Sequence, residues 1–388
     1  LNGTDWSNVR TTTNFAFGTE NPQSGVDDDS TATIVGTWGG NQQVVGTVVA
    51  PTTSDTIQQE VELRLLTTIT SGTITGYEAD YIGFTTTAAD CGVTVQRWNG
   101  ALNSFTSLAG GVGGSQTCLH TGDIVRAVVI GGKFTTYIND VIAATGTDST
   151  FTTGKPGMGM YLEASSGGAN TFGFSAWRAS DNPIAYVQSG SNDTSSSGTT
   201  AAITNIPAAT TTGDLMACMG YWNSTTLTAS VADSTNGTYT AIGTPTSGAG
   251  ALSAYRAQMF YKSGITGFAT TVHPTLTTSG TTSDRGLACH EARGVTTLDQ
   301  SPAVKAGSGA TATSTATSTT TAVDEYAAGF AVFGNTGSGI TSPWVEREST
   351  NFGANTTGDF EPSKEEIVQF SAPQSGSSNY LAGVATFK

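Results

Sequence analysis

GDIVRAVVIGGKFTTYINDVIAATGTDSTFTTGKPGMGMYLEASSGGANTFGFSAW, Gly122 to Trp177, reads as strands joined by tight turns. Ile124 to Ile130 is an apolar run interrupted by Arg126. Gly131-Gly132 tolerates positive φ and suits a hairpin turn. Lys133 to Ile138 is the return strand. Asn139-Asp140 are the non-glycine residues best suited to the left-handed region, so a second tight turn is expected there. Val141 to Ala144 runs back, and Gly154 to Gly157 punctuates the chain before Met158 to Leu162. Phe172, Phe174 and Trp177 close the unit.

The same grammar extends outward. Thr, Val, Tyr and Phe favour pleated strands, and no long amphipathic helix is visible. The fold class expected is all-β. At 388 residues the chain exceeds one ordinary domain and fits two. Arg178 to Pro183 carries turn residues after the last aromatic strand, and from Ile184 the strand pattern starts afresh. The expected domains are therefore 1–179 and 185–388.

Charged residues make up 12% of the chain and Gly contributes 49 residues, the composition of extracellular structural or adhesive proteins. A net charge of −15, with no run of Lys or Arg, excludes nucleic acid as the natural partner. No apolar run is long enough to insert in a membrane. No signal peptide is visible, and with Leu1 in first place this says nothing about a leader.

Four cysteines fall two per half: Cys91 with Cys118, and Cys218 with Cys289. An even count divided in this way fits one disulfide in each domain. For Cys218 and Cys289 the alternative is two free thiols on core strands.

Candidate sites are few. Gly25 to Ser30 is a loop with three carboxylates, Asp27, Asp28 and Asp29, and calcium is the cofactor it would take; a solvated acidic loop is the plainer reading. In Ile57 to Leu66, Glu60, Glu62 and Arg64 share one strand face, while Val61, Leu63 and Leu65 share the other. Glu60 and Glu62 are the one carboxylate pair placed for glycoside cleavage, though Arg64 beside them disfavours a general acid. Tyr77, Tyr81 and Trp98 are aromatic residues on strands that could stack on sugar, or pack in a core. His290-Glu-Ala-Arg-Gly294 lacks the second histidine of a zinc helix, and no Ser lies in a nucleophile elbow.

The Gly122–Trp177 meander resembles the end of a concanavalin A-like (laminin-G-like) jelly roll, as found in secreted bacterial and phage proteins, and the resemblance extends over about residues 1–179. It implies a β-sandwich and an extracellular habitat. Glucanases of that fold carry ExDxxE on one strand; Glu60-Val-Glu62-Leu-Arg64 departs from that pattern, which puts catalysis in doubt. The second half is similar to a β-sandwich module of phage and secreted bacterial proteins, on Gly213 to Trp222, Asp233 to Tyr239 and Tyr380 to Phe387.

The expectation is two jelly-roll-like β-sandwiches in tandem, without enzymatic activity. The leading reading is a phage virion surface protein, a capsid decoration, fibre or appendage, partnered by its own copies or by other particle-surface proteins. The alternative is a secreted or cell-surface carbohydrate-binding protein whose partner is polysaccharide. A glycan-cleaving enzyme comes third. Ala310 to Thr321, a Thr/Ser/Ala tract, is expected to be an exposed strand or loop.

Overall fold

The computed structural model describes residues 6–12, 14–18, 28–51, 59–70, 72–84, 91–101, 104–112, 118–162, 171–349, 352 and 354–388, with backbone alone at 6–8, 28 and 112. The chain divides into two compact units, Leu1–Pro183 and Ile184–Lys388. Both are built from β-strands.

The N-terminal unit is a sandwich of two seven-stranded sheets. The first runs β1 (Trp6–Asn8), β4 (Asp28–Thr33), β13 (Lys155–Leu162), β6 (Gln59–Thr70), β7 (Thr73–Ile82), β8 (Gly92–Gly100), β9 (Phe105–Val112). The second runs β12 (Val141–Thr147), β11 (Lys133–Ile138), β10 (Ile124–Ile130), β5 (Gln42–Val49), β14 (Gly173–Ser180), β3 (Ala16–Phe17), β2 (Arg10–Thr11). The β10–β11 and β11–β12 turns are made as their residues dictate. Gly131 and Gly132 have φ of 57° and 81°, and Asn139 and Asp140 have φ of 50° and 65°. The Asn139 side chain accepts from the Ile124 N–H at 2.9 Å and donates to Asp123 at 2.9 Å, which fixes the second turn.

Alternation sets the core. Val61, Leu63 and Leu65 of β6, Tyr77, Ala79 and Tyr81 of β7, and Val93 and Val95 of β8 pack against Val44, Val125, Val129, Phe134 and Phe174 of the other sheet. The residues between them necessarily point to the opposite face of the first sheet. The disulfide Cys91–Cys118 ties the start of β8 to the segment before β10. Asp28 and Asp29, expected in a loop, belong to β4; Asp27 lies outside the described residues.

The C-terminal unit has three sheets, where two were expected. The first is β15 (Ala185–Thr194), β23 (Arg285–Arg293), β17 (Leu215–Asn223), β21 (Tyr255–Lys262), β20 (Thr240–Ser247). The second is β16 (Gly198–Ala202), β22 (Thr275–Thr282), β18 (Ala229–Asp233), β19 (Gly237–Thr238). The third is β24 (Lys305–Thr313), β28 (Ser371–Phe387), β25 (Tyr326–Phe333), β27 (Thr356–Phe360), β26 (Val345–Glu348).

The first of these sheets is apolar on both faces. From β17, Leu215, Ala217, Met219 and Tyr221 pack toward Tyr326, Ala328, Phe330 and Val332 of β25. Met216 and Cys218 pack the other way, toward Val231 and Leu276. That is why LMACMGYW carries no polar alternation. Cys218 and Cys289 are direct cross-strand partners in β17 and β23 and form a disulfide. Pairing and turns set two further boundaries. Ser191 to Thr194 continues β15 because it pairs with β23. β22 begins only at Thr275, because Val272 N–H bonds Ala269 O in a turn before Pro274.

Candidate functional site

The face of the first N-terminal sheet opposite the core is strongly polar yet closed. Glu60, Glu62 and Arg64 of β6 share it with Glu78 and Asp80 of β7, Thr94 and Gln96 of β8 and Asp29 of β4. Register brings the charges together: Glu62 is opposite Asp80, Arg64 is opposite Glu78, and Gly159 of β13 flanks Glu62. None of the five carboxylates is more than 6% exposed, and Arg64 is fully buried. Arg64 Nη2 reaches Asp29 at 2.9 Å and Glu62 at 2.5 Å, while Nη1 reaches Glu78 at 2.5 Å. A Cβ on Gly159 would sit 1.9 Å from a Glu62 carboxylate oxygen, so glycine there makes room for the cluster. Burial raises Glu62 well above the ordinary carboxylate range, by more than Arg64 lowers it. Burial and the carboxyls of Glu78 and Glu60 do the same to Asp80.

These positions correct the expectations for this unit. Glu60 and Glu62 do share a face, but both are shut from solvent and Glu62 is committed to Arg64, so neither can reach a glycosidic bond. Tyr77 and Tyr81 lie in the core between the sheets. Tyr77 donates to Asp148 at 2.6 Å with its ring 4.4 Å from Phe134, and Tyr81 donates to the Arg126 carbonyl at 2.6 Å. Trp98 is 6% exposed and packs on Ile74, Ile69 and Phe105, so its ring is no open stacking platform. Asp29 spends its carboxylate on Arg64, so the expected calcium loop has lost a ligand to an ion pair. Glu78 and Asp80 were missed, although they alternate with Tyr77, Ala79 and Tyr81 in the same period-two pattern that singled out Glu60 and Glu62.

An open polar site lies in the C-terminal unit. A cleft of about 240 Å³ lies where β15, β17, β21 and the β22–β23 turn end beside β25. Its polar lining includes Asp193, Asp284, Tyr221, Tyr255 and Asn355; Leu252 and Phe333 supply apolar wall. Tyr221 donates its hydroxyl to Asp193, and Tyr255 donates to Asp284 Oδ2 at 2.7 Å. Burial raises both tyrosines above the ordinary phenol range, with the bonded carboxyls adding to it, so both remain donors. Burial, aided by the adjacent Asp193 carboxyl, also raises Asp284. Asp284 Oδ1 is buried with no hydrogen-bond partner among the described residues. Among the described residues no Lys, Arg or His lines the cleft.

Sequence reasoning singled out none of Asp193, Tyr221, Tyr255 and Asp284. They come from separate strand ends, and no local spacing joins them. His290, rejected as a zinc ligand on sequence, is instead buried between Tyr326 Oη at 3.0 Å and Thr357 Oγ1 at 2.8 Å.

No family model matches the chain, and no curated protein matches it in sequence. Among solved structures, the carbohydrate binding module CBM66 from Bacillus subtilis is similar at 12% identity, covering 41% of this chain and 89% of that one with a TM-score of 0.31.

Proposed function

We propose that the chain is a non-enzymatic carbohydrate-binding protein, and that the C-terminal cleft accepts one neutral sugar unit. The observation that carries this is the cleft's lining: two carboxyls held in place by tyrosine hydroxyls, apolar wall beside them, and no cation among the described residues. Sugar hydroxyls donate to carboxylates in short, charge-assisted bonds, while the C–H face of a pyranose or furanose ring rests on apolar side chains. Phosphate, sulfate and uronate groups would be repelled. The cleft is smaller than the roughly 300–1,000 Å³ of drug-sized sites, which suits one ring rather than a long chain.

A glycan array carrying neutral and anionic saccharides tests this reading. The expected result is binding to neutral glycans and none to sulfated or uronate-rich ones. Binding confined to anionic glycans, or to none, would remove it.

A particle-surface role is the second reading. It is favoured by β24, a partly exposed edge strand rich in Gly, Ser and Thr, which offers an edge to a neighbouring chain. Light scattering tests it: a stable symmetric oligomer supports it, a monomer argues against it. Two disulfides accord with an extracellular setting for either role.

A further inference from the structure

The closed polar face of the N-terminal sheet holds two groups of three carboxylates, each group with its ligand oxygens within 4.8 Å of one another. They differ in one respect. Asp29, Glu62 and Glu78 surround the Arg64 guanidinium, which bonds all three. The protein has supplied that group with its own cation. Glu60, Glu62 and Asp80 form the second group. There Glu62 and Asp80 stand directly opposite on β6 and β7, a like-charge pairing that opposes strand association.

Asp80 adds an independent sign. It is fully buried, and its Oδ2 is oriented by Thr94 Oγ1 at 2.8 Å and Gln96 Nε2 at 2.5 Å. Its Oδ1 has no hydrogen-bond donor among the described residues. A buried carboxylate oxygen left without a donor, beside two more carboxylates, is costly unless something positive meets it. Calcium binds oxygen at about 2.3–2.6 Å, so ligand atoms within 4.8 Å of one another fall near the span of a single coordination shell. Hard oxygen donors without His or Cys select calcium or magnesium over zinc or copper.

We propose that Glu60, Glu62 and Asp80 form a buried structural site for a hard divalent cation of the calcium type. The cation would bridge β6 to β7 and complete the charge balance that Arg64 begins. This site is separate from the sugar cleft and does not depend on it.

The test is calorimetric titration of the chelator-treated full chain with calcium chloride and with magnesium chloride, alongside melting temperature with and without each ion. The expected result is one cation per chain and a higher Tm when it is bound. Asp80→Asn keeps the shape and the acceptor for Thr94 but loses the charge; it should weaken binding by about tenfold or more. Glu60→Gln is the second variant, should Asp80→Asn not fold. Asp193→Asn, in the other unit, should leave cation binding unchanged. No bound cation and an unchanged Tm would overturn the proposal, and would mean that protons alone neutralise the cluster. Full-affinity binding that survives both Asp80→Asn and Glu60→Gln would overturn it equally.

Discussion

Replacing Arg64 with Met would leave Asp29, Glu62 and Glu78 buried around an apolar side chain. Removing one partner of a buried ion pair costs about 3–5 kcal/mol, because the remaining charges lose their compensation. Denaturant unfolding of the variant should show that loss; a loss under about 1 kcal/mol would mean that the carboxyls are already neutral without it. His290 governs a different dependence. Burial, with the positive charge of Arg347 adding to it, lowers its pKa from 6.5 to about 3. A depressed histidine contributes stability above the unfolded pKa and loses it as pH falls through the window down to the folded value. The stability advantage of wild type over His290→Gln should therefore shrink by about 1.4 kcal/mol per pH unit below roughly pH 6.5. A pH-independent difference would contradict the burial of a neutral imidazole.

Elements show where sequence patterns carry structural information and where they do not. The turns at Gly131-Gly132 and Asn139-Asp140 were legible because positive φ selects few residues. The burial of β17 and β25 accords with their unbroken apolar runs, which fit a two-sided interior. The low-complexity tract was not. Beyond Thr313 it leaves the sheet, yet Ser314, Thr317 and Thr320 recur every third residue and are buried. Their hydroxyls accept from the backbone N–H groups of Phe370, Val368 and Glu366 at 3.0, 2.8 and 3.0 Å. Their own N–H groups bond the carbonyls of the same three residues. Side-chain hydroxyls here replace a strand partner, an arrangement with no period-two signature. Thr317→Val keeps the shape but orphans the Val368 N–H, and should cost about 1–3 kcal/mol. The Cys218–Cys289 disulfide closes a separation of 71 residues, so its removal by paired Ala substitution should cost about 4 kcal/mol in the chain-entropy account. Thermal or denaturant unfolding of each variant checks both values.

At the scale of the molecule, composition conveyed the all-β class, because strand propensity is distributed along the chain. It did not convey the third sheet of the C-terminal unit, since two-faced burial of one strand leaves the number of layers open. The aromatic residues picked from sequence turned inward: Tyr77 and Tyr81 sit at apolar positions of the β7 alternation, and alternation alone does not say which face is open. The cleft residues were illegible for a different reason. Asp193, Tyr221, Tyr255 and Asp284 meet only after four strand ends are brought together. The central claim is that this cleft, and not the closed acidic face of the N-terminal sheet, binds a neutral sugar. Calorimetric titration of the best neutral glycan into wild type, Asp284→Asn and Glu60→Gln tests it most directly. Loss of charge-assisted hydrogen bonds at Asp284 should weaken binding by about 10- to 100-fold, with Glu60→Gln unchanged. Full affinity in Asp284→Asn together with loss in Glu60→Gln would contradict the account and return the binding site to the N-terminal sheet.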